Sequence, residues 1–251
     1  MIDKKSTYYD GYNTANEREN ESILIKLRNV YLREGLFALL KKIFIFTIFR
    51  INYAIFNKYF MVDGKKFGYF INAYNAVQGE RVIEIPFVKK FLFKSENKEV
   101  LEIGNVLSHY FDTFHTVVDK YEKASRVINI DILDFIADRK YDLIISISTI
   151  EHVGFDEAIK ESGKSKKAIL KIIDLLNDRG IALITVPLGY NPEIDSILKN
   201  NEFNFTKLYF LKRVSKFNLW KETTREDALK YKYGSKFPAA NSVAFLLYKK
   251  E

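Results

Sequence analysis

The sequence predicts an α/β three-layer sandwich built on a mostly parallel sheet of about seven strands. Three observations carry that expectation. Short, nearly continuous apolar runs recur from residue 98 onward; runs this apolar suit strands covered on both faces. A helical stretch separates the fourth run from the fifth. Two late apolar runs then stand ready to close the sheet as an antiparallel hairpin.

Taken in order, KEVLEIG (98–104) is an apolar run ended by Gly104, and HTVVDKYE (115–122) is a second, closed by Asp119. RVINIDILDF (126–135), rich in β-branched residues, is a third, closed by Asp131. KYDLIISIS (140–148) is a fourth, and RGIALITVP (179–187) is a fifth, stopped by Pro187. Between the last two, residues 156–180 place Ile169, Ile172, Ile173 and Leu176 on one helical face, with Gly180 in the position of a C-terminal cap. The closing hairpin is expected from TKLYFLKRV (206–214) and NSVAFLLYKK (241–250). The chain divides near residue 90, with a helical and irregular cap over 1–90 and the sheet domain over 91–251.

Composition narrows the chemistry. The 251 residues contain no Cys, which excludes disulfide scaffolds, thiolate metal sites and a cysteine nucleophile. The His residues are His109, His115 and His152, and no second His follows His152 at ligand spacing, so no metal site is expected. Residues 1–66 carry 12 basic and 7 acidic side chains, residues 67–198 carry 16 and 20, and residues 199–251 carry 12 and 5. An acidic centre between basic flanks argues against a nucleic-acid groove and leaves attraction of the flanks to lipid headgroups or a phosphate-bearing partner. Residues 36–62 hold four cations and no acid, but their uncharged runs are too short to span a bilayer. They are read as a helix packed partly on the domain, with contact to a membrane surface as the alternative. The first 35 residues show no secretory signal, so the expected location is the cytoplasm, with peripheral contact at the inner face of the membrane as part of that alternative.

In an open parallel sheet, ligands bind beyond the carboxyl ends of the strands. The residues to examine are therefore Glu102 and Gly104, then Asp119, Asp131, Ser146 to His152, and Pro187 to Asn191. VLEIGN, VVD, INIDILD, YDLIISISTIEHVG and GIALITVPLG stand in the order of the motifs of the class I S-adenosylmethionine-dependent methyltransferases, a Rossmann-like family that this sequence resembles over about residues 98–190. The resemblance implies S-adenosylmethionine as cofactor, held by Glu102, Gly104, Asn105, Asp119, Asp131 and Ser148. In that family an acid after the second strand takes the ribose hydroxyls and one after the third faces the adenine. The short interval between Asp119 and Asp131 leaves those two roles exchangeable. Val106 stands where such enzymes usually have a second Gly.

The family also suggests roles for the Glu151–His152 pair. His152 is the candidate base that takes a proton from a hydroxyl acceptor, and Glu151 orients it or grips the acceptor. Tyr190 and Trp220 are candidate acceptor-binding residues, Trp220 by stacking on a sugar ring. His109 and His115 are read as structural. ERVIEIPF (80–87), VLEIGNVLSHY, HTVVDKYE, STIEHVG and YFLKRVSKFNLW further resemble small methyltransferases associated with cell-surface polysaccharide biosynthesis. That likeness implies a sugar hydroxyl on a glycan, free or lipid-linked, as acceptor. Two rival readings stand beside it: a degenerate, non-catalytic scaffold at the membrane surface, motivated by Val106, and an RNA 2′-hydroxyl methyltransferase, which the acidic centre disfavours.

Overall fold

The computed structural model describes residues 23–71, 79–95 and 98–251. The first 22 residues of the expected cap lie outside the described residues. The main sheet has eight strands in the order β5-β4-β3-β6-β7-β10-β8-β9. They are β3 (Val100–Ile103), β4 (Thr116–Val118), β5 (Val127–Ile128), β6 (Tyr141–Ile147), β7 (Leu176–Pro187), β8 (Lys207–Arg213), β9 (Trp220–Thr223) and β10 (Ser242–Lys249). Pairs from β5 through β7 are parallel, and β10 joins β7 and β8 antiparallel, as the sequence leads one to expect. The eighth strand, β9, adds to the edge at β8. Every residue of β3 is buried, as are six of the seven in β6, which is why their runs carry no polar alternation.

Two helical layers cover the sheet. On one face lie α3 (Lys164–Leu175) and α4 (Pro192–Lys199), whose Ile169, Ile172, Ile194 and Ile197 join Leu101, Ile144 and Ile184 in a common core. On the other face α2 (Arg81–Leu92) and a separate hairpin, β1 (Tyr59–Val62) with β2 (Lys65–Gly68), pack Phe60, Val82, Ile83 and Phe87 against Ile145, Leu183 and Phe245. The expected boundary near residue 90 therefore runs through a helix that is an integral layer of the sheet domain. Pro86 sits inside that helix, where it cannot donate to the carbonyl of Val82. That carbonyl instead accepts the amide of Phe70, 2.9 Å away.

Other expectations shift. The stretch 156–180 is not one helix: α3 begins at Lys164 and ends at Leu175, because Leu176 is already extended and pairs with Tyr141. Leu176 and Gly180 thus belong to β7. The third run shortens to two strand residues, and Asp131 lies in the turn beyond it. Residues 36–62 divide among three elements. Helix α1 (Ile23–Ile51) is kinked at Gly35, whose φ is 83°; a π-turn (Asn52–Phe56) follows, and then β1. Only the end of this segment packs on the domain, through Phe49 and Tyr53 against Tyr69, Ile71 and Leu219. Among the described residues no helix is long and apolar enough to cross a membrane.

Candidate active site

The chain passes from β3 to its neighbour β4 on one side, yet β6 lies against β3 on the other. Beyond the carboxyl ends of β3 and β6 the connections diverge, at the place where doubly wound sheets take their ligands. Two chain segments flank it, the loop after β3 and the segment after β6.

The first is a loop whose amides are all consumed. Gly104 donates its N–H to the carbonyl of Val118 (2.9 Å), and Asn105 donates to Asp119 Oδ2 (3.0 Å). Val106 and Leu107 donate to Glu102 Oε1 at 2.9 and 2.7 Å. His115 bonds the other oxygen of Glu102 at 2.7 Å, so this fully buried carboxylate is held by its own loop on both oxygens. The turn needs positive φ at Gly104 (85°), where a Cβ would stand 2.1 Å from Thr149 Oγ1. Val106, at φ −105°, occupies ordinary backbone space and needs no glycine. With no amide of residues 104–107 left to point outward, the loop cannot cradle a pyrophosphate as a dinucleotide site does. The side chain of Asn105 is also engaged, giving Nδ2–H to Glu122 (2.8 Å) and accepting from Ser108 (2.6 Å). Asp119 already accepts three backbone amides, from Asn105, Tyr121 and Glu122. One of its roughly four acceptor positions remains.

The second segment is held by α2. Glu84, fully buried, accepts hydrogen bonds from Ser148 Oγ (2.6 Å) and Thr185 Oγ1 (2.7 Å) and pairs with Arg81. The α2 layer is thereby pinned to the ends of β6 and β7. Beyond Ser148 a single turn of 3₁₀ helix (Ile150–His152) presents the Glu-His pair. Asn191 fixes that turn by donating to the carbonyl of Glu151 (2.8 Å), while its own Oδ1 caps α4 by accepting from the amide of Glu193 (2.9 Å).

Glu151 is fully buried, and neither of its oxygens accepts a hydrogen bond among the described residues. Burial without donors pushes its carboxyl up to about 8, against the opposing pull of His152. Because the folded state holds this proton more tightly than the unfolded one, the resulting stability is full below pH ~4.5 and is lost as pH rises through about 8. Glu151→Gln is expected to flatten that loss: between pH 6 and 9 its melting temperature should fall less than that of the wild type, measured by thermal unfolding in the two buffers.

His152 is held from the side away from Glu151. Its Nδ1 bonds Asp156, whose Oδ2 also accepts the Tyr190 hydroxyl at 2.6 Å. Its Nε2 lies 3.5 Å from Glu151 Oε1, too far for a good hydrogen bond. Burial works against the imidazolium, but the charges of Glu151 and Asp156 and the Asp156 bond outweigh it and raise His152 above its usual value. The rings of Tyr190 and Tyr233 continue the cluster edge to face, centroids 5.0 Å apart, with Tyr190 meeting His152 at 5.1 Å. The arrangement is a histidine fixed at one ring nitrogen beside a buried carboxyl that accepts no hydrogen bond among the described residues. Asp156, rather than Glu151, is the hydrogen-bonded partner of His152.

No family model and no curated protein matches the sequence. Solved structures with a similar chain path include three methyltransferases. The N-methyltransferase NodS from Bradyrhizobium japonicum WM9, in complex with S-adenosyl-L-homocysteine, is 12% identical, with 68% of this chain and 91% of that chain covered and a TM-score of 0.41. An rRNA methylase from Streptococcus thermophilus is 13% identical, over 67% and 97% of the two chains, with a TM-score of 0.39. An S-adenosylmethionine-dependent methyltransferase from Clostridium acetobutylicum ATCC 824 is 14% identical, over 66% and 90%, with a TM-score of 0.34. These are partial likenesses at low identity.

The structure sets Gly104 against Thr149, holds Asn105 and Asp119 together in the loop after β3, and joins His152 to Tyr190 through Asp156, with Glu151 buried next to His152. Glu102 and Ser148 act as supports: one accepts the loop amides, and the other holds Glu84. Asp131 departs from the expectation. Its Oδ2 accepts from both Lys120 (2.9 Å) and Lys164 (2.8 Å), and its Oδ1 accepts the amide of Leu133. Burial disfavours its charge, yet these donors hold it down to about 2. With Glu157 it forms a four-charge knot that ties the turn after β5 to the start of α3. Trp220 is a second correction. It is 4% exposed in β9, within the core beneath α2, and donates Nε1–H to Asn218 (2.8 Å), so neither face is free for a sugar.

Asp156, Glu84, Glu122 and Tyr233 join these contacts without having been singled out. Asp156 had a signal, an acid four residues after a His, but it fell inside the stretch read as helix. Glu84 had another: an acid inside the apolar run of RVIEIPF. Among the described residues no cluster of three or more His, Asp and Glu side chains is arranged to hold a metal ion.

Proposed function

We propose that this protein is an S-adenosylmethionine-dependent O-methyltransferase whose acceptor is the hydroxyl of a sugar or a similar small molecule. The observation that carries the reading is the Asp156–His152 pair at the end of β6, one ring nitrogen fixed and the other unbonded. The residues fit the cofactor in two respects. A loop with every amide consumed suits a ligand that carries no phosphate, and the carboxylates Glu84, Glu102, Asp119 and Glu122 favour a cationic one. When bound, S-adenosylmethionine supplies a methyl group activated by its sulfonium.

The chain's own residues would then act as follows. The turn at Gly104 and Asn105 presents backbone to the methionine portion, and the remaining acceptor position of Asp119 takes a ribose hydroxyl. The unpartnered Glu151 supplies the hydrogen-bonding group that its burial leaves unsatisfied. Neutral His152 accepts the proton of the acceptor hydroxyl at Nε2, while Asp156 holds the tautomer and stabilises the imidazolium that forms. Tyr190 and Tyr233 offer ring surface to a sugar. The further likeness to polysaccharide-associated enzymes supports a glycan acceptor handled on the cytoplasmic side.

The test is transfer of label from methyl-tritiated S-adenosylmethionine to a panel of nucleotide sugars, oligosaccharides and matched amines. Incorporation into acceptors that bear hydroxyls alone is the expected result. Labelling confined to amines would overturn the O-methyl assignment. Asp156→Asn tests the orienting role: kcat is expected to fall about 10²-fold or more. Because Asp156 raises His152, the acid limb of the pH–rate profile should move to lower pH in the variant.

A further inference from the structure

We propose that the exposed side of α1 seats this protein on an anionic lipid surface. Beyond the kink at Gly35 the helix has two unlike faces. Phe46, Phe49 and Tyr53 turn toward the domain and pack with Tyr69 and Leu219. Leu36, Phe37, Leu40, Ile43, Phe44 and Ile51 turn away and are open to solvent, Phe37 by 83% and Phe44 by 65%. At 3.6 residues per turn these six fall within an arc of about 120°. They extend over about 23 Å of helix. An apolar stripe of this extent, continuous along one helix face, marks an interaction surface where single exposed side chains elsewhere do not.

Charge selects the occupant. On the same wheel Lys41 lies just past one edge of the stripe and Arg50 just past the other, both exposed. Lys42 points elsewhere and pairs with Glu34. From Leu36 to Lys58 there are four cations and no acid. This is the pattern of a helix lying in a membrane interface, with the apolar strip in the acyl boundary and cations at headgroup level, their aliphatic stems lying along the apolar surface. A second copy of the chain fits less well. A two-fold contact through this face sets the same patch against itself, with no acid among residues 36–58 to meet Lys41 and Arg50. A transmembrane span is excluded by the same cations. The surface is independent of the catalytic reading, since none of its residues lies in the loop after β3 or the segment after β6.

The experiment is sedimentation of the full chain with vesicles of phosphatidylcholine alone and of phosphatidylcholine with 30 mol% phosphatidylglycerol. Binding to the anionic vesicles, weakened by high salt, is the expected result. Lys41→Ser/Arg50→Ser should reduce partitioning about 30-fold, at roughly 1 kcal/mol for each cation near the surface. Phe37→Ser/Phe44→Ser, at positions that bear no core packing, should abolish it with the melting temperature unchanged. The proposal is overturned if the wild type stays in the supernatant with anionic vesicles, or if the double Phe variant binds as the wild type does. It is equally overturned if light scattering shows a lipid-free dimer that the Phe variant converts to monomer while vesicle binding is absent.

Discussion

Replacing His152 with alanine is expected to lower kcat by about 10²–10⁴-fold while affinity for S-adenosylhomocysteine stays within about twofold. The two readouts separate because His152 stands at the end of the β6 segment, where its partners are Asp156 and the edge of Tyr190, whereas the proposed cofactor contacts are at Gly104 and Asp119. The side chain is 32% exposed, so truncation leaves no large internal cavity and the fold should survive. Single-turnover rates and calorimetric affinities on the same preparation check this. An unchanged rate would remove His152 from the chemistry, and a parallel loss of affinity would make it a binding residue. Wild-type turnover should rise with pH through a midpoint above the ordinary histidine value, because the base acts neutral and its surroundings favour the cation.

Gly104→Ala is expected to destabilise the fold strongly. The residue sits at φ 85°, where a side chain costs about 1–2 kcal/mol. The added Cβ would also meet three atoms of Thr149, at 2.1, 2.7 and 2.9 Å. Such overpacking typically costs a further 1–3 kcal/mol. Urea unfolding should show a loss of about 3 kcal/mol or more, with binding of S-adenosylhomocysteine lost as the loop shifts. Thr149→Ala removes the two nearest of those contacts, so the double variant should recover part of the stability but not the share owed to positive φ. Full stability in Gly104→Ala would mean that the turn after β3 is looser than described.

These two residues also show what could be read from the sequence. The sheet was legible because its central strands are buried on both faces, and burial writes itself into composition: VLEI and LIISI admit almost nothing polar. The antiparallel end was legible for the same reason. The ends of elements were less so. Residues 156–163 contain no helix breaker before Gly163 and read as helix, but Glu157 is drawn into the knot with Lys120 and Lys164, which holds the chain in turns. Asp156 was missed through that error, and with it the partner of His152.

Acids at strand ends were correctly located but could not be assigned. Glu102, Asp119 and Asp131 are all carboxylates after apolar runs, yet one takes the amides of its own loop and a histidine, one takes backbone amides alone and one is paired with two lysines. Only the positions of the donors distinguish them, and donors such as Lys164 arrive from more than thirty residues away. Trp220 failed similarly. Its sequence neighbourhood is polar, and its burial comes from α2, which lies more than a hundred residues earlier in the chain.

S-adenosylmethionine is proposed to bind beyond the ends of β3 and β6, against a loop that needs only one glycine. Calorimetric titration of the purified chain with S-adenosylhomocysteine tests it most directly. The expected result is one site per chain with micromolar affinity, retained in His152→Ala and lost in Gly104→Ala. Absence of heat at millimolar ligand, with and without a sugar acceptor present, would contradict it and favour a methyltransferase-like scaffold without a cofactor.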